Sequence, residues 1–236
     1  MLIEPGTPLK VGILIAPGFA LMDIAGAHSV FGMAPNTELH VLWKDRHPVM
    51  AMPDFPCHAS TTFDECPPDL DVLVIGAVGT AAIEDPQLIQ FLREQCPRTR
   101  FVISICAGAL LLGAAGFLEG RRATTNLHLT HTLEAFGATA VSGGEVVIDG
   151  PLYSAGPATG SFETALMVLA RLRGEQIAKL LELTIEYHPR APFNVGTPEL
   201  AGPELTRQTL ELYADFFRRS TETALKHYRN ALQPQR

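Results

Sequence analysis

Cys106 ends the β-branched apolar run Phe101-Val102-Ile103-Ser104-Ile105. The small residues Ala107-Gly108-Ala109 follow it at once. This order reads as a strand, a tight turn carrying the cysteine, and a helix. Such a turn aims the sulfur at the carboxyl edge of a sheet, where open α/β sheets place their sites. Free N–H groups at the helix start favour the thiolate, the nucleophilic form, and so imply a depressed thiol pKa. A buried structural cysteine is the competing reading. The strand–cysteine–helix context favours the nucleophile.

Asp23, in Phe19-Ala20-Leu21-Met22-Asp23-Ile24, follows the first strand-like run and falls on the same sheet edge as Cys106. An acid at a helix start can be a cap or a dipole partner. It can also be a carboxyl group that meets the sulfur. A pair sharing one proton can deliver it to a substrate and later take one from water. Gly76-Ala77-Val78-Gly79 follows another apolar run, and backbone N–H groups at such a turn can hold a developing anion. No G-x-G-x-x-G follows a strand, and Gly108 to Gly113 lacks the lysine and hydroxyl of a phosphate loop.

The other candidates are weaker. His128 and His131 share a helical spacing, which alone is a poor metal signal. His28 could face the site from the first helix, or simply pack. Glu163 reads as a dipole partner in the first turn of a late helix. Cys57 adjoins His58, but neighbours on a strand point to opposite faces. Cys66 and Cys96 read as bystanders. No C-x-x-C pair exists among the four cysteines, so no metal site is expected and free thiols are.

The elements that must position these groups alternate. Lys10–Ala16, Glu38–Trp43, Pro48–Ala51, Asp71–Ile75 and Phe101–Ile105 read as strands. Helices are expected from Asp23, over Pro86–Gln95 with proline at its start, and after Cys106. This alternation implies an α/β fold with a mostly parallel, doubly wound sheet. Residues 53–69, rich in proline and aspartate, read as a surface excursion. Leu127–Phe136 reads as a helix. Asp149-Gly150 marks a hairpin between Glu145–Ile148 and Leu152–Ala155. Further helices are expected from Thr159, with Thr159 or Ser161 as cap, over Gly174–Tyr187 and over Pro203–Leu232. The last of these could be a dimer arm.

The 236 residues suffice for one large α/β domain with appended helices. The net charge of -7 and pI near 5.6 lack the basic footprint of a nucleic-acid binder. Apolar stretches are too short or too glycine-broken to span a bilayer, and the first ten residues do not read as a signal peptide. A cytoplasmic location is the expectation.

The segments Ser104–Thr125, Leu21–Gly26, Asp149–Leu166 and Leu183–Glu199 together resemble the ThiJ/PfpI superfamily, also called the parkinsonism-associated deglycase superfamily. The tail over Glu186–Pro198 is similar to its isonitrile hydratase group. The resemblance implies a flavodoxin-like sandwich over residues 1–200, a class I glutamine amidotransferase-like domain. A C-terminal helix over 201–236 would belong to the same unit. It further implies a homodimer, no cofactor, and a small-molecule substrate, with neither nucleic acid nor membrane as partner. Cys106 maps to the nucleophile, Asp23 to the acid, and Gly76 and Ala77 to an oxyanion-type turn. The pocket departs from that group at Ala77, where a second glycine is usual. It departs at Ala107, where threonine follows the cysteine, and at Ala158, where a larger aliphatic side chain stands. Asn126 stands where many relatives carry histidine, so histidine assistance is not expected. The implied activity is hydration of an isonitrile to an N-substituted formamide. Glyoxalase- or deglycase-like chemistry on small dicarbonyls, a cysteine redox sensor, and a regulator's ligand-sensing module are the rivals.

Overall fold

Near-continuous runs of buried apolar residues give this chain strands covered on both faces, as a parallel sheet requires. The computed structural model describes residues 2–4, 6–143 and 145–232. Strands β1 (Leu9–Leu14), β2 (Phe19–Ala20), β3 (Thr37–Trp43), β4 (Val49–Met52), β5 (Phe55–Cys57), β6 (Thr61–Thr62) and β7 (Val72–Ile75) come first. They are followed by β8 (Phe101–Ile105), β9 (Arg122–Ala123), β10 (Thr139–Ala140), β11 (Val147–Asp149) and β12 (Leu152–Ala155). The helices are α1 (Leu21–Met33), α2 (Thr80–Ile83), α3 (Pro86–Gln95), α4 (Gly108–Ala114), α5 (Gly160–Arg173), α6 (Glu175–Thr184), α7 (Pro198–Leu212) and α8 (Ala214–Leu232).

The central sheet has seven strands in the order β11-β12-β8-β7-β1-β3-β6. Its pairs are parallel except β11 with β12, the hairpin turned at Asp149-Gly150. From β1 the chain steps outward to β3 and β6, then returns to the other side of β1 for β7, β8 and β12. The switch point therefore lies between β1 and β7, and open α/β sheets leave a crevice at the carboxyl ends of such strands. Helices α1, α5 and α6 pack together; α4 packs with α3 and α8. The core between these layers is built on Val11, Ile13, Val72, Val74, Ile103, Leu110, Val168 and Leu169, all essentially without solvent contact. No helix among the described residues is long and apolar enough to cross a membrane.

Several local expectations are corrected. The segment after Asn126 is a 3-10 helix over Thr130–Phe136, not an α-helix over Leu127–Phe136. Polar side chains there bond back to local backbone: Thr130 to the Asn126 carbonyl and Thr132 to the Leu129 carbonyl. Such bonds compete with the helical ladder. Residues 53–69 carry β5 and β6 rather than a bare excursion. Thr159 stands at the start of α5 with helical dihedrals and makes no side-chain cap bond, while the Ser161 hydroxyl donates to the Met22 carbonyl. The stretch Pro203–Leu232 is split, with α7 kinked at Gly202 (φ 76°) and separated from α8 by Tyr213. Helix α8 is no free arm. Its buried Ser220, Ala224 and Tyr228 seat it on α2, α4 and the 3-10 segment, with Ser220 Oγ 2.6 Å from Thr80 Oγ1 and Tyr228 edge-on to Phe136.

Candidate active site

Cys106 sits between β8 and α4 with φ 55°, in the left-handed region that non-glycine residues rarely enter. Such a conformation costs about 1–3 kcal/mol and must be held by its surroundings. Three bonds hold it. The Cys106 N–H continues the β8–β12 ladder by donating to the Ala155 carbonyl at 2.9 Å. The Thr125 hydroxyl donates to the Cys106 carbonyl at 2.6 Å, and the Asn126 Nδ2 donates to the sulfur at 3.3 Å. Gly108 makes the sharp bend possible, because a Cβ there would lie 2.3 Å from the Ile75 carbonyl oxygen. Helix α4 therefore starts pressed against the end of β7.

Asp23 lies in the first turn of α1 and is only 1% exposed. It does not cap that helix. Its Oδ2 accepts the Ala77 N–H at 2.8 Å, across the switch point. The Gly76-Ala77 turn therefore serves the carboxylate: the Ala77 N–H expected to receive a substrate oxyanion is already taken. Gly76 supplies room, since a Cβ there would meet the Asp23 Cβ at 2.7 Å.

The Asp23 carboxyl and the Cys106 thiol sit close enough to shift one another's titration. Burial pushes the Asp23 carboxyl up to about 6, against the lowering effects of the Ala77 N–H and the Cys106 thiol. Burial, with the Asp23 charge adding to it, pushes the Cys106 thiol up to about 12. The Asn126 amide and the Ala107 N–H favour the thiolate but do not win. The expectation of a depressed thiol pKa is thus corrected. The residue is partly exposed, yet the packing around its sulfur and the neighbouring carboxylate outweigh the few N–H groups of a seven-residue helix start. Burial thus raises both groups, and the charge that raises the thiol further belongs to Asp23.

The remaining candidates divide clearly. Ala107 is buried at the start of α4, without a side-chain cap bond. Ala158 lies in the turn before α5, its carbonyl accepting the Ser161 N–H, and presents only a methyl group. His28 is exposed on α1. His128 stacks on Phe217 and its Nε2 lies 3.1 Å from the Thr209 carbonyl, while His131 is exposed. No group of three potential metal ligands forms among the described residues. Glu163, in the first turn of α5, accepts the Tyr187 hydroxyl at 3.2 Å, and Tyr187 stacks on Phe162. The tail singled out by the sequence lines a cleft of about 210 Å³, where Val195, Gly196 and Thr197 meet Leu127 and the start of α7; Asp23, Cys106 and Asn126 do not line it. The resemblance pointed to Asn126 only as the position where relatives carry histidine, and its amide donor to the sulfur was not foreseen. Thr125 was missed, and its only signal was its place after β9.

The model of the DJ-1/PfpI family matches residues 9–171. Isonitrile hydratase of Pseudomonas putida is 37% identical over 195 residues, covering 82% of this chain and 85% of that protein. The HTH-type transcriptional regulator CdhR of Pseudomonas aeruginosa is 28% identical over 172 residues, 70% of this chain but only 51% of the regulator. Among solved structures, a ThiJ/PfpI family protein from Pseudomonas syringae superposes with a TM-score of 0.87 at 29% identity, covering 92% of this chain and 91% of that one. Drosophila melanogaster DJ-1beta shares the fold at 21% identity, with a TM-score of 0.68 over 78% of this chain and all of that one. The matched region runs from β1 into α5 and holds the whole constellation of Asp23, Gly76, Cys106 and Asn126, so the chain belongs to the DJ-1/PfpI family.

Proposed function

We propose that this protein is a cysteine-dependent hydratase that converts an isonitrile to an N-substituted formamide without a cofactor. The observation that carries the reading is Cys106 in its left-handed turn with the buried Asp23 carboxylate held at the same sheet edge by the Ala77 N–H, on a chain 37% identical to isonitrile hydratase over most of both lengths.

In this scheme Asp23 relays three protons in turn: the thiol proton to carbon, then the two protons of water, one to nitrogen and one back to sulfur. Asp23, ionised near neutral pH, accepts the thiol proton as sulfur bonds to the terminal isonitrile carbon. Asp23 then delivers the proton to that carbon, giving a thioimidate, R–N=CH–S–Cys106. Water adds to the same carbon; Asp23 takes a proton from the water and passes it to nitrogen. Collapse of the adduct breaks the C–S bond, and the remaining hydroxyl proton returns to sulfur through Asp23. The product is R–NH–CHO, and the net change is addition of one water. A carboxyl group poised near pH 6 can give and take protons alternately at neutral pH. Asn126, an amide, takes no part in proton transfer.

Purified protein with an aryl isonitrile should yield the formamide, with Cys106→Ala as the blank. Methylglyoxal forms the second arm. Consumption of methylglyoxal with no formamide would replace the hydratase by a dicarbonyl enzyme. Loss of neither substrate would leave the redox-sensor reading.

The reading includes a cytoplasmic homodimer. The exposed Met22, Met50 and Met52 support the dimer: they stand close to the β2–β4 pairing, where Ala20 faces Met52, next to the turn of Asp23. Sedimentation equilibrium should give twice the 25.5 kDa chain mass, and a monomer at micromolar concentration would remove the dimer.

A further inference from the structure

Asn126 carries a second fixed relationship to the reacting sulfur that the proton-transfer scheme does not use. Its Oδ1 accepts the His128 N–H at 3.0 Å. That bond sets the orientation of the amide, so the group facing Cys106 is the NH2, with Nδ2 3.3 Å from Sγ. The Asn126 carbonyl is held as well, by the Leu129 N–H at 3.0 Å and the Thr130 hydroxyl at 3.2 Å.

The segment before it is clamped to the elbow. The Thr124 N–H donates to Ser154 Oγ at 3.0 Å, and the Thr125 hydroxyl to the Cys106 carbonyl. Gly156 lets this segment approach the end of β12, because a Cβ there would meet the Thr125 carbonyl oxygen at 2.7 Å. Residues 124–126 thus form a holder for a strained turn, and its last member reaches the sulfur.

We propose that Asn126 is the positioning residue that fixes the Cys106 sulfur and favours its anionic form through a one-way hydrogen bond. The proposal rests on the reading of Cys106 as the nucleophile. An amide donates to sulfur but does not take up a proton at ordinary pH. A histidine in this place would add an ionisation of its own. With Asn126, the titration of the site belongs to Asp23 and Cys106 alone. The charge acting on the sulfur is Asp23 from α1. The strand ends and α4 bring Gly76, Ala155 and Ala107, which carry none. His128, next but one to Asn126, turns its ring to Thr209 and Phe217.

The test is the pH profile of Cys106 alkylation by iodoacetamide, read by peptide mass and by thiolate absorbance. It needs no substrate. Asn126→Asp keeps an oxygen for the His128 N–H but puts a second carboxylate against sulfur in place of the donor. The profile should move at least about one pH unit upward, an alkylation rate about tenfold or more lower at a fixed pH on the rising limb. Asn126→His should add an inflection in the neutral range that the wild type lacks. A wild-type profile in the Asp variant, or a shift downward, would overturn the proposal. If either variant fails to fold, Asn126→Ala decides: it removes the donor without adding charge, so alkylation at a fixed pH on the rising limb should slow by about threefold or more, and an unchanged rate overturns the proposal. Failure of Cys106 to alkylate at any pH would instead remove the nucleophile, a result distinct from an unchanged Asp variant.

Discussion

Asp23 Oδ2 accepts the backbone N–H of Ala77 at 2.8 Å, from a residue 54 positions later in the chain. This one bond ties the helix after β1 to the turn after β7 and closes the switch point of the sheet. It also fixes the carboxylate beside Cys106. The turn that sequence patterning offers to a substrate oxyanion is thereby given to the Asp23 carboxylate.

Asp23→Asn separates two effects that usually travel together. Formamide turnover should fall by roughly 100- to 10,000-fold, the usual contribution of a general acid–base group. Alkylation of Cys106 should become faster at a given pH, because the charge that raises the thiol is gone. Stopped-flow assays and iodoacetamide kinetics on the same preparation test both. Turnover within a few-fold of wild type would remove Asp23 as the acid–base group, and slower alkylation would show that its carboxylate takes the thiol proton more than its charge holds the thiol up.

Asp23 also makes stability depend on pH. Its folded pKa, about 6, lies above the ordinary carboxyl value of 3.8, because burial disfavours the charge. A group raised on folding stabilises the folded state below its unfolded pKa and loses that contribution as pH rises through the folded one. The window is therefore about pH 4 to 6. Above it the ionised carboxylate costs of order 2–3 kcal/mol relative to a neutral group. Urea unfolding should show the wild type losing stability relative to Asp23→Asn between pH 4 and 7. Parallel curves for the two proteins would contradict this.

The sheet and the elbow were legible because buried parallel strands print themselves as apolar runs. Phe101–Ile105 and Pro86–Gln95 match the observed elements residue for residue. Cys106 and Asp23 were legible because both follow such runs on one edge. Three features were not. The 3-10 segment after Asn126 looks helical in its spacing, and only local side-chain bonds divert it. The break at Tyr213 leaves no proline or glycine in the chain to announce it. The balance that keeps Cys106 a thiol depends on burial around the sulfur, which spacing cannot report.

Gly108 is required by its neighbour rather than by its dihedrals. A methyl group there would sit 2.3 Å from the Ile75 carbonyl oxygen and 3.0 Å from its carbon, both backbone atoms that cannot rotate away. Gly108→Ala should cost about 2–3 kcal/mol, the upper part of the overpacking range. It should also lift the start of α4 from the sulfur and reduce formamide turnover beyond the loss of folded protein. Chemical denaturation with activity per folded molecule measures both. A midpoint within experimental scatter of wild type would show that the elbow relaxes freely.

Ala107→Thr tests whether the residue after the nucleophile limits the proposed reaction. Ala107 is the N-terminal flanking residue of α4, 6% exposed, and offers no side-chain bond to the first turn. Threonine adds a hydroxyl that can donate toward the sulfur or the substrate, or accept an N–H of the helix start. Capping contributes about 0.5–2 kcal/mol, while the added bulk in a tight site costs about 1–3 kcal/mol. The two nearly cancel, so the melting temperature should change little. Turnover of an aryl isonitrile should rise if this residue limits the reaction, because the hydroxyl adds a polar contact beside the sulfur. Product formation measured beside wild type and Cys106→Ala decides the matter. A rise with unchanged stability assigns the effect to chemistry rather than folding. Formamide from neither wild type nor Ala107→Thr would remove the hydratase reading and leave only the DJ-1/PfpI fold.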